Sequence, residues 1–211
     1  MPLYYNGTKV KNIYFNGNKL KKVYHNDILV YKPDLITGDI IVGNVVKFSG
    51  KDWVVAKIYD NRLFMFMKNV WMNVAWSSSA KTDDFVDSGL PDFLKTFETK
   101  QMDKDSLDIC IEWTVATTAY SDVKEPGYTG KVNIPTIYEH GTWDINDLPS
   151  NVKSYFSATD SSGTSRGWWT AQKTNSCQTI VDENGQYREL SDPRGWSYYI
   201  RPFIIIDMTL L

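Results

Sequence analysis

The first thirty residues repeat with a period of ten. Tyr4-Tyr5-Asn6-Gly7 returns as Tyr14-Phe15-Asn16-Gly17 and again as Tyr24-His25-Asn26-Asp27. Asn-Gly between β-prone segments is the strongest short-range hairpin signal, because both central residues of a type I′ turn need positive φ. Eight residues between turns make one strand. The spacing therefore predicts a four-stranded meander with turns at Asn6-Gly7, Asn16-Gly17 and Asn26-Asp27. Alternation fails across Val10-Lys11-Asn12-Ile13, which predicts a bulge there. A module of about thirty residues has too little core to stand alone. Packing on a partner, or self-association, is expected of residues 1–32.

Charge separates this module from the rest. Residues 1–32 hold six lysines and one acid, Asp27, a local excess of five positive charges. The other 17 basic and 24 acidic residues leave the body at −7. Six spaced lysines without an arginine make no dense basic patch, so nucleic acid is not expected as a partner. Lysines on edge strands instead discourage sheet-to-sheet aggregation. The first residues carry no charged stretch followed by an apolar one, and no apolar run approaches the roughly 20 residues of a membrane span. Synthesis in a cytoplasm, without membrane contact, is the expectation.

Lys32-Pro33-Asp34 ends the repeat, since Pro cannot continue an inner strand. Residues 33–44 read as a linker, with Ile40-Ile41-Val42 as a possible short strand, and 45–211 as the body. Val45 to Phe48 and Trp53 to Ile58 form an expected hairpin around Ser49 to Asp52. Asp60-Asn61 then turns the chain into Leu63-Phe64-Met65-Phe66-Met67. That strand is apolar throughout and belongs in the middle of a sheet. Ser88 or Asp92 is placed to cap a helix through Pro91, Phe93, Leu94 and Phe97. Residues 100–108 are polar, Ile109 to Ala119 is strand-compatible, and Val132 to Ile137 is short and extended. A short helix is expected between Asn146 and Phe156, capped by Asp144 or Asn146. Ser157 to Ser165 reads as an exposed loop. The body is α+β and β-rich, not an alternating β-α-β fold.

The last stretch, Arg166 to Asp207, is the most distinctive. Trp168-Trp169 opens it, Glu183-Asn184-Gly185 marks a hairpin, and Arg201-Pro202 precedes the apolar run Phe203 to Ile206. Adjacent strand residues face opposite sides, so one indole is expected in the core and the other on a surface. Aromatic and Arg side chains rimmed by polar groups are the usual composition of recognition patches. The candidate ligand-binding residues are Trp169, Lys173, Asn175, Tyr187, Arg188, Arg194 and Trp196.

Catalytic and metal chemistry finds little support. The only histidines, His25 and His140, fall in different modules, so a two-histidine centre is not expected. Cys110 and Cys177 either form one bridge or remain buried free thiols. Scattered acids such as Asp83-Asp84, or Glu139 with Asp144, read as surface charges. No catalytic residue, metal or cofactor is assigned.

The body resembles a domain family common in bacteriophage and gut-bacterial proteins. The residues that carry the resemblance are Gly167-Trp168-Trp169 and Ile200-Arg201-Pro202-Phe203. They follow a Trp-centred strand pair (Lys47 to Ile58), the helix near Phe93 to Phe97, and Val132 to Ile137. The hallmark of that family is Trp-Trp-Leu-Arg-Ser, a strand pair, then Val-Arg-Pro-Ala and an aliphatic strand. Here Thr170-Ala171-Gln172 replaces Leu-Arg-Ser, and Phe203 replaces the small residue after Pro. The family is similar to the C-type-lectin-like fold shared with formylglycine-generating enzymes and with variable receptor-binding proteins of phage. The resemblance covers roughly residues 42–209. A formylglycine-type oxidase would need a cysteine pair near the end of the fold, where only Cys177 stands. Calcium-dependent sugar binding would use Glu-Pro-Asn and Trp-Asn-Asp, of which Glu125-Pro126-Gly127 and Trp143-Asp144-Ile145-Asn146-Asp147 are loose echoes.

The repeat separately resembles Tyr-Asn-Gly-Thr-Lys-Val modules of phage tail, baseplate and head-associated proteins. Together the two resemblances imply a virion component, not an enzyme. Residues 1–32 would bind other virion subunits, and the C-type-lectin-like body would face a host-surface glycan or protein. A homo-oligomer is expected. The tail fibre, baseplate and head fibre are the implied locations. A capsid or tail decoration protein with a purely stabilising role is the alternative.

Overall fold

The structure is a computed structural model. It describes residues 4–5, 8–9, 14–15, 18–19, 23–25, 28–31, 35–75, 88–115, 128–135, 138–139, 143–144, 148–174, 177–190 and 196–211. The repeat forms three hairpins: β1 (Tyr4–Tyr5) with β2 (Thr8–Lys9), β3 (Tyr14–Phe15) with β4 (Asn18–Lys19), and β5 (Val23–His25) with β6 (Ile28–Tyr31). Each pairs across the two-residue step that the repeat predicts, with Tyr5 opposite Thr8, Phe15 opposite Asn18 and His25 opposite Ile28. The turn residues Asn6, Gly7, Asn16, Gly17, Asn26 and Asp27, and the bulge at 10–13, lie outside the described residues. Of the expected meander, the described residues show three hairpins, and among them no ladder joins one hairpin to the next. Strands this short close their bonds across their own turn and leave little ladder for a neighbour.

From residue 36 the chain already belongs to a large sheet. β7 (Ile36–Thr37), inside the expected linker, pairs with β8 (Val45–Phe48). Ile40 to Val42 is not a strand; Asn44 N–H closes a turn on the Ile41 carbonyl. β9 (Lys51–Tyr59) and β10 (Arg62–Met67) follow. Both connecting turns are type I′ in sign: Ser49-Gly50 has φ of 49° and 73°, and Asp60-Asn61 has 49° and 55°. β11 (Asn73–Ala75) precedes α1 (Leu90–Gln101), whose first turn holds Pro91 and whose Leu90 N–H is accepted by Ser88 Oγ. The polar stretch after it contains an unexpected second helix, α2 (Lys104–Asp108). Asp103 caps it by accepting the Ser106 N–H at 2.8 Å.

Next come β12 (Trp113–Val115), β13 (Tyr128–Gly130), β14 (Val132–Asn133), β15 (Tyr138–Glu139), β16 (Trp143–Asp144) and α3 (Ser150–Lys153). Asp144 lies in a strand, so it does not cap α3, and Pro149 stands at that helix's start. The expected loop at 157–165 is a hairpin, β17 (Ala158–Thr159) with β18 (Ser165–Arg166). The chain ends with β19 (Trp168–Thr174), β20 (Cys177–Val181), β21 (Tyr187–Leu190), β22 (Ser197–Tyr199) and β23 (Phe203–Asp207).

Two sheets carry the body. One has six strands in the order β14-β23-β10-β9-β8-β7, all antiparallel. The other has five, β11-β22-β19-β20-β21, with only β19 and β22 parallel. The protein is thus α+β and β-rich. The central strands of both sheets are buried on both faces, while β21 is exposed. Trp53, Val55, Leu63, Met65, Ile204 and Trp169 join Leu90, Leu94 and Phe97 of the α1 region in one core. Val54, Phe64, Phe66, Phe203, Ile205 and Trp168 join Val152 of α3 in the other. This is why β10 is apolar at every position from Leu63 to Met67. Each fully buried large side chain contributes roughly 1.5–3 kcal/mol.

Candidate recognition surface

The indoles of Trp168 and Trp169 point to opposite sides of β19, as alternation requires, but both sides are core. Trp168 is 1 % exposed and donates its N–H to the Phe156 carbonyl at 3.0 Å; Trp169 is 0 % exposed and donates to the Val74 carbonyl at 2.9 Å. Trp169 is therefore not a surface residue, contrary to the sequence expectation. Its role is one step removed. Tyr198 packs edge-on against it at 5.0 Å, and Trp196 stacks on Tyr198 with ring planes 19° apart. Trp196 is 52 % exposed. A column of three aromatic rings thus runs from the core to solvent.

Strand register sorts the remaining candidates. Ile180 pairs with Trp169 and with Arg188, which puts Arg188 on the Trp169 side of the sheet. Val181 pairs with Trp168 and with Tyr187, which puts Tyr187 on the other side. Tyr187 and Arg188 do not form one patch. Lys173 lies on β19 opposite Gln178. Asn175 and Arg194 lie outside the described residues. The structure joins Trp169, Tyr198 and Trp196 in one column, places Arg188 on the same side of the sheet, and puts Tyr187 on the other side.

Arg188 is already engaged. Its Nε donates to Asp182 Oδ2 at 2.6 Å, while Asp182 Oδ1 accepts the N–H groups of Asn184 and Gln186, both at 2.9 Å. The same arrangement occurs one hairpin earlier. Asp160 Oδ1 accepts the N–H groups of Ser162 and Thr164, and Oδ2 accepts Arg166 Nε at 2.8 Å. Both turns read Asp-x-x-Gly-x-x-Arg, with Gly163 at φ 82° and Gly185 at φ 78°. In each, the Gly N–H returns to the Asp carbonyl at 3.0 Å. This repeated seven-residue spacing was the available signal for the clamps, and sequence reasoning passed over it. Burial raises the Asp182 carboxyl, but Arg188 and the two backbone N–H groups outweigh it and hold the group below the usual carboxylate range. Hydrogen bonds from Ser162 and Arg166 hold Asp160 low in the same way. Arg188 thus stands on the side of the sheet that carries Tyr198, with its Nε held by Asp182.

No reactive group accompanies this surface among the described residues. The Cys110 thiol is free and buried, pushed up to about 12 by that burial, and it donates to the Ser106 carbonyl. Among the described residues no group of three or more His, Cys, Asp or Glu side chains is placed to hold a metal ion. Among them, too, no helix is long and apolar enough to cross a membrane. No family model, curated protein or solved structure matches the chain.

Proposed function

We propose that the chain is a bacteriophage virion component. Residues 45–211 form a C-type-lectin-like display domain that adheres to a host-surface glycan or protein, and residues 1–32 attach it to other virion subunits. The observation that carries this reading is the Trp196–Tyr198 stack. A half-exposed indole is costly to leave in water, and here its orientation is fixed from beneath by Tyr198 and Trp169. Rigid aromatic rings are the usual anchors of a recognition patch, because they lose little entropy on binding. The hairpin repeat supports attachment, since a module of about thirty residues has too little core to stand alone. Association of several copies would convert weak single-site affinity into avidity.

Glycan arrays and adsorption to bacterial cells, performed with the full chain and with Trp196→Ala, test the reading. Loss of an aromatic anchor worth about 2 kcal/mol lowers binding roughly thirtyfold. Absence of any glycan or cell binding, together with particles that lose stability without the protein, would favour a decoration role instead.

A further inference from the structure

A second site stands at the six-stranded sheet. A cleft of about 260 Å³ opens between the Ser49-Gly50 turn and the segment that leaves β10, lined by Lys47, Lys51, Asp52, Met67, Asn69 and Trp71. Its far wall is fixed from within. Buried Arg201 donates Nε to the Met67 carbonyl at 2.9 Å and a second nitrogen to the Lys68 carbonyl at 3.0 Å. Lys68 N–H reaches the Asp52 carbonyl, and Trp71 N–H reaches that of Ile200. The Trp71 indole stands edge-on to Phe97 at 4.9 Å, and Phe97 stands edge-on to buried Trp53. The partly exposed indole is therefore held in place before any ligand arrives.

The polar groups around it are of three kinds. Lys47 pairs with Asp52 Oδ1 at 2.7 Å, which leaves Oδ2 as an acceptor. The Asn69 oxygen accepts the Thr159 hydroxyl at 3.4 Å, which leaves its NH₂ to donate. Lys51 lies 5.6 Å over the Phe97 ring and makes one long bond of 3.3 Å to Gln101; among the described residues no carboxylate pairs with it. The charges lining the cleft sum to one positive, carried by Lys51.

We propose that this cleft binds a single acidic sugar ring of the hexuronate class. The indole meets the ring's C–H face, Asp52 and Asn69 accept from and donate to neighbouring hydroxyls, and Lys51 meets the carboxylate. The volume lies just under the roughly 300 Å³ at which small-molecule pockets begin, which suits one ring and excludes a folded peptide. A lone ammonium, without an arginine fork or a nest of backbone N–H groups, is a poor seat for free phosphate. The cleft is separate from the Trp196 surface, and its occupancy does not depend on adhesion there.

Titration of the isotopically labelled full chain with glucuronate, glucose and inorganic phosphate tests the assignment, with the Trp71 indole N–H resonance identified from Trp71→Phe. Glucuronate should shift that resonance with a Kd on the order of millimolar. Glucose should bind about five- to tenfold more weakly, and phosphate should leave the resonance unmoved. Lys51→Met should bring glucuronate affinity down to that of glucose, whereas Trp196→Ala should change nothing. The proposal is overturned by glucuronate that leaves Trp71 unmoved, by undiminished glucuronate binding in Lys51→Met, or by an equal response to phosphate. Loss of cell adsorption in Trp196→Ala with the Trp71 response intact would separate the two sites.

Discussion

Substitution of Arg201 probes how the fold keeps a charge inside. The guanidinium is fully buried, and burial pushes its pKa down to about 9, so it stays protonated at neutral pH. Among the described residues no carboxylate is paired with it. Two carbonyls accept from it at 2.9 and 3.0 Å, and the rings of Phe66 and Trp168 lie 4.3 and 5.1 Å away. Among the described residues its remaining terminal nitrogen has no hydrogen-bond partner. Charge-assisted bonds contribute about 1.5–3 kcal/mol each, and desolvated ring contacts about 1–2 kcal/mol each. Against these stands a desolvation penalty of several kcal/mol.

Arg201→Lys keeps the charge and the penalty but loses the fork, and an ammonium is more strongly hydrated than a guanidinium. The expected loss is about 3–5 kcal/mol. Arg201→Met removes both charge and penalty and retains much of the stem's packing, leaving two carbonyls without donors. The expected loss is about 2–3 kcal/mol. The lysine variant should therefore be the less stable of the two. With a urea slope of about 2 kcal/mol/M, unfolding midpoints should fall by about 1.5–2.5 M for lysine and about 1–1.5 M for methionine. Parental stability in Arg201→Lys would show that charge alone suffices. Parental or higher stability in Arg201→Met would show that the two carbonyls do not need the fork. Either result refutes the reasoning.

Asp182→Asn should cost about 1–2 kcal/mol at neutral pH, because the amide keeps the backbone bonds but sets an NH₂ against Arg188, whose side chain is 60 % exposed. The native carboxyl titrates below its unfolded value of about 3.9, so its stabilisation is complete above that value and is lost as pH falls through the lower folded one. The melting-temperature gap between the two proteins should narrow as pH falls below about 3.9 and close once the native carboxyl is protonated; a gap that persists in acid would rule out the ion pair as its source. Cys110 should resist thiol reagents in the native protein, since moving from 9.0 to about 12 cuts its thiolate content about a thousandfold. Peptide mapping after alkylation checks this, and rapid native labelling at Cys110 would contradict its burial.

Where the sequence carried local chemistry, the fold was legible. Gly50 and Asn61 supply the positive φ of the two central hairpins, and Pro91 marks the start of α1, whose N-cap is Gly89 and not the expected Ser88 or Asp92. The apolar run Leu63 to Met67 of β10 belongs to a strand covered on both faces. The second helix was missed because Lys104 to Asp108 is too short and polar to show a periodic face, although Asp103 is a good cap. The candidate site was less legible. Alternation correctly separates Trp168 from Trp169, but it cannot tell whether a sheet's second face meets water or another layer. Trp169 was misplaced for that reason. Arg201 takes its acceptors from carbonyls 134 and 133 residues away, which no local pattern reveals. Arg188 looked available because its clamp depends on a spacing, Asp-x-x-Gly-x-x-Arg, that is visible only when its two copies are compared.

The adjacent indoles of β19 bear on how the protein comes apart. Because neighbouring residues of one strand fill different cores, β19 cannot leave either core without emptying the other. Partial opening that spares one half is then unavailable to this strand, and its amides should exchange with solvent only through unfolding of the whole body. The exposed Trp196 column is rooted in that strand, so a ligand bound at its tip is held by a segment tied into both cores.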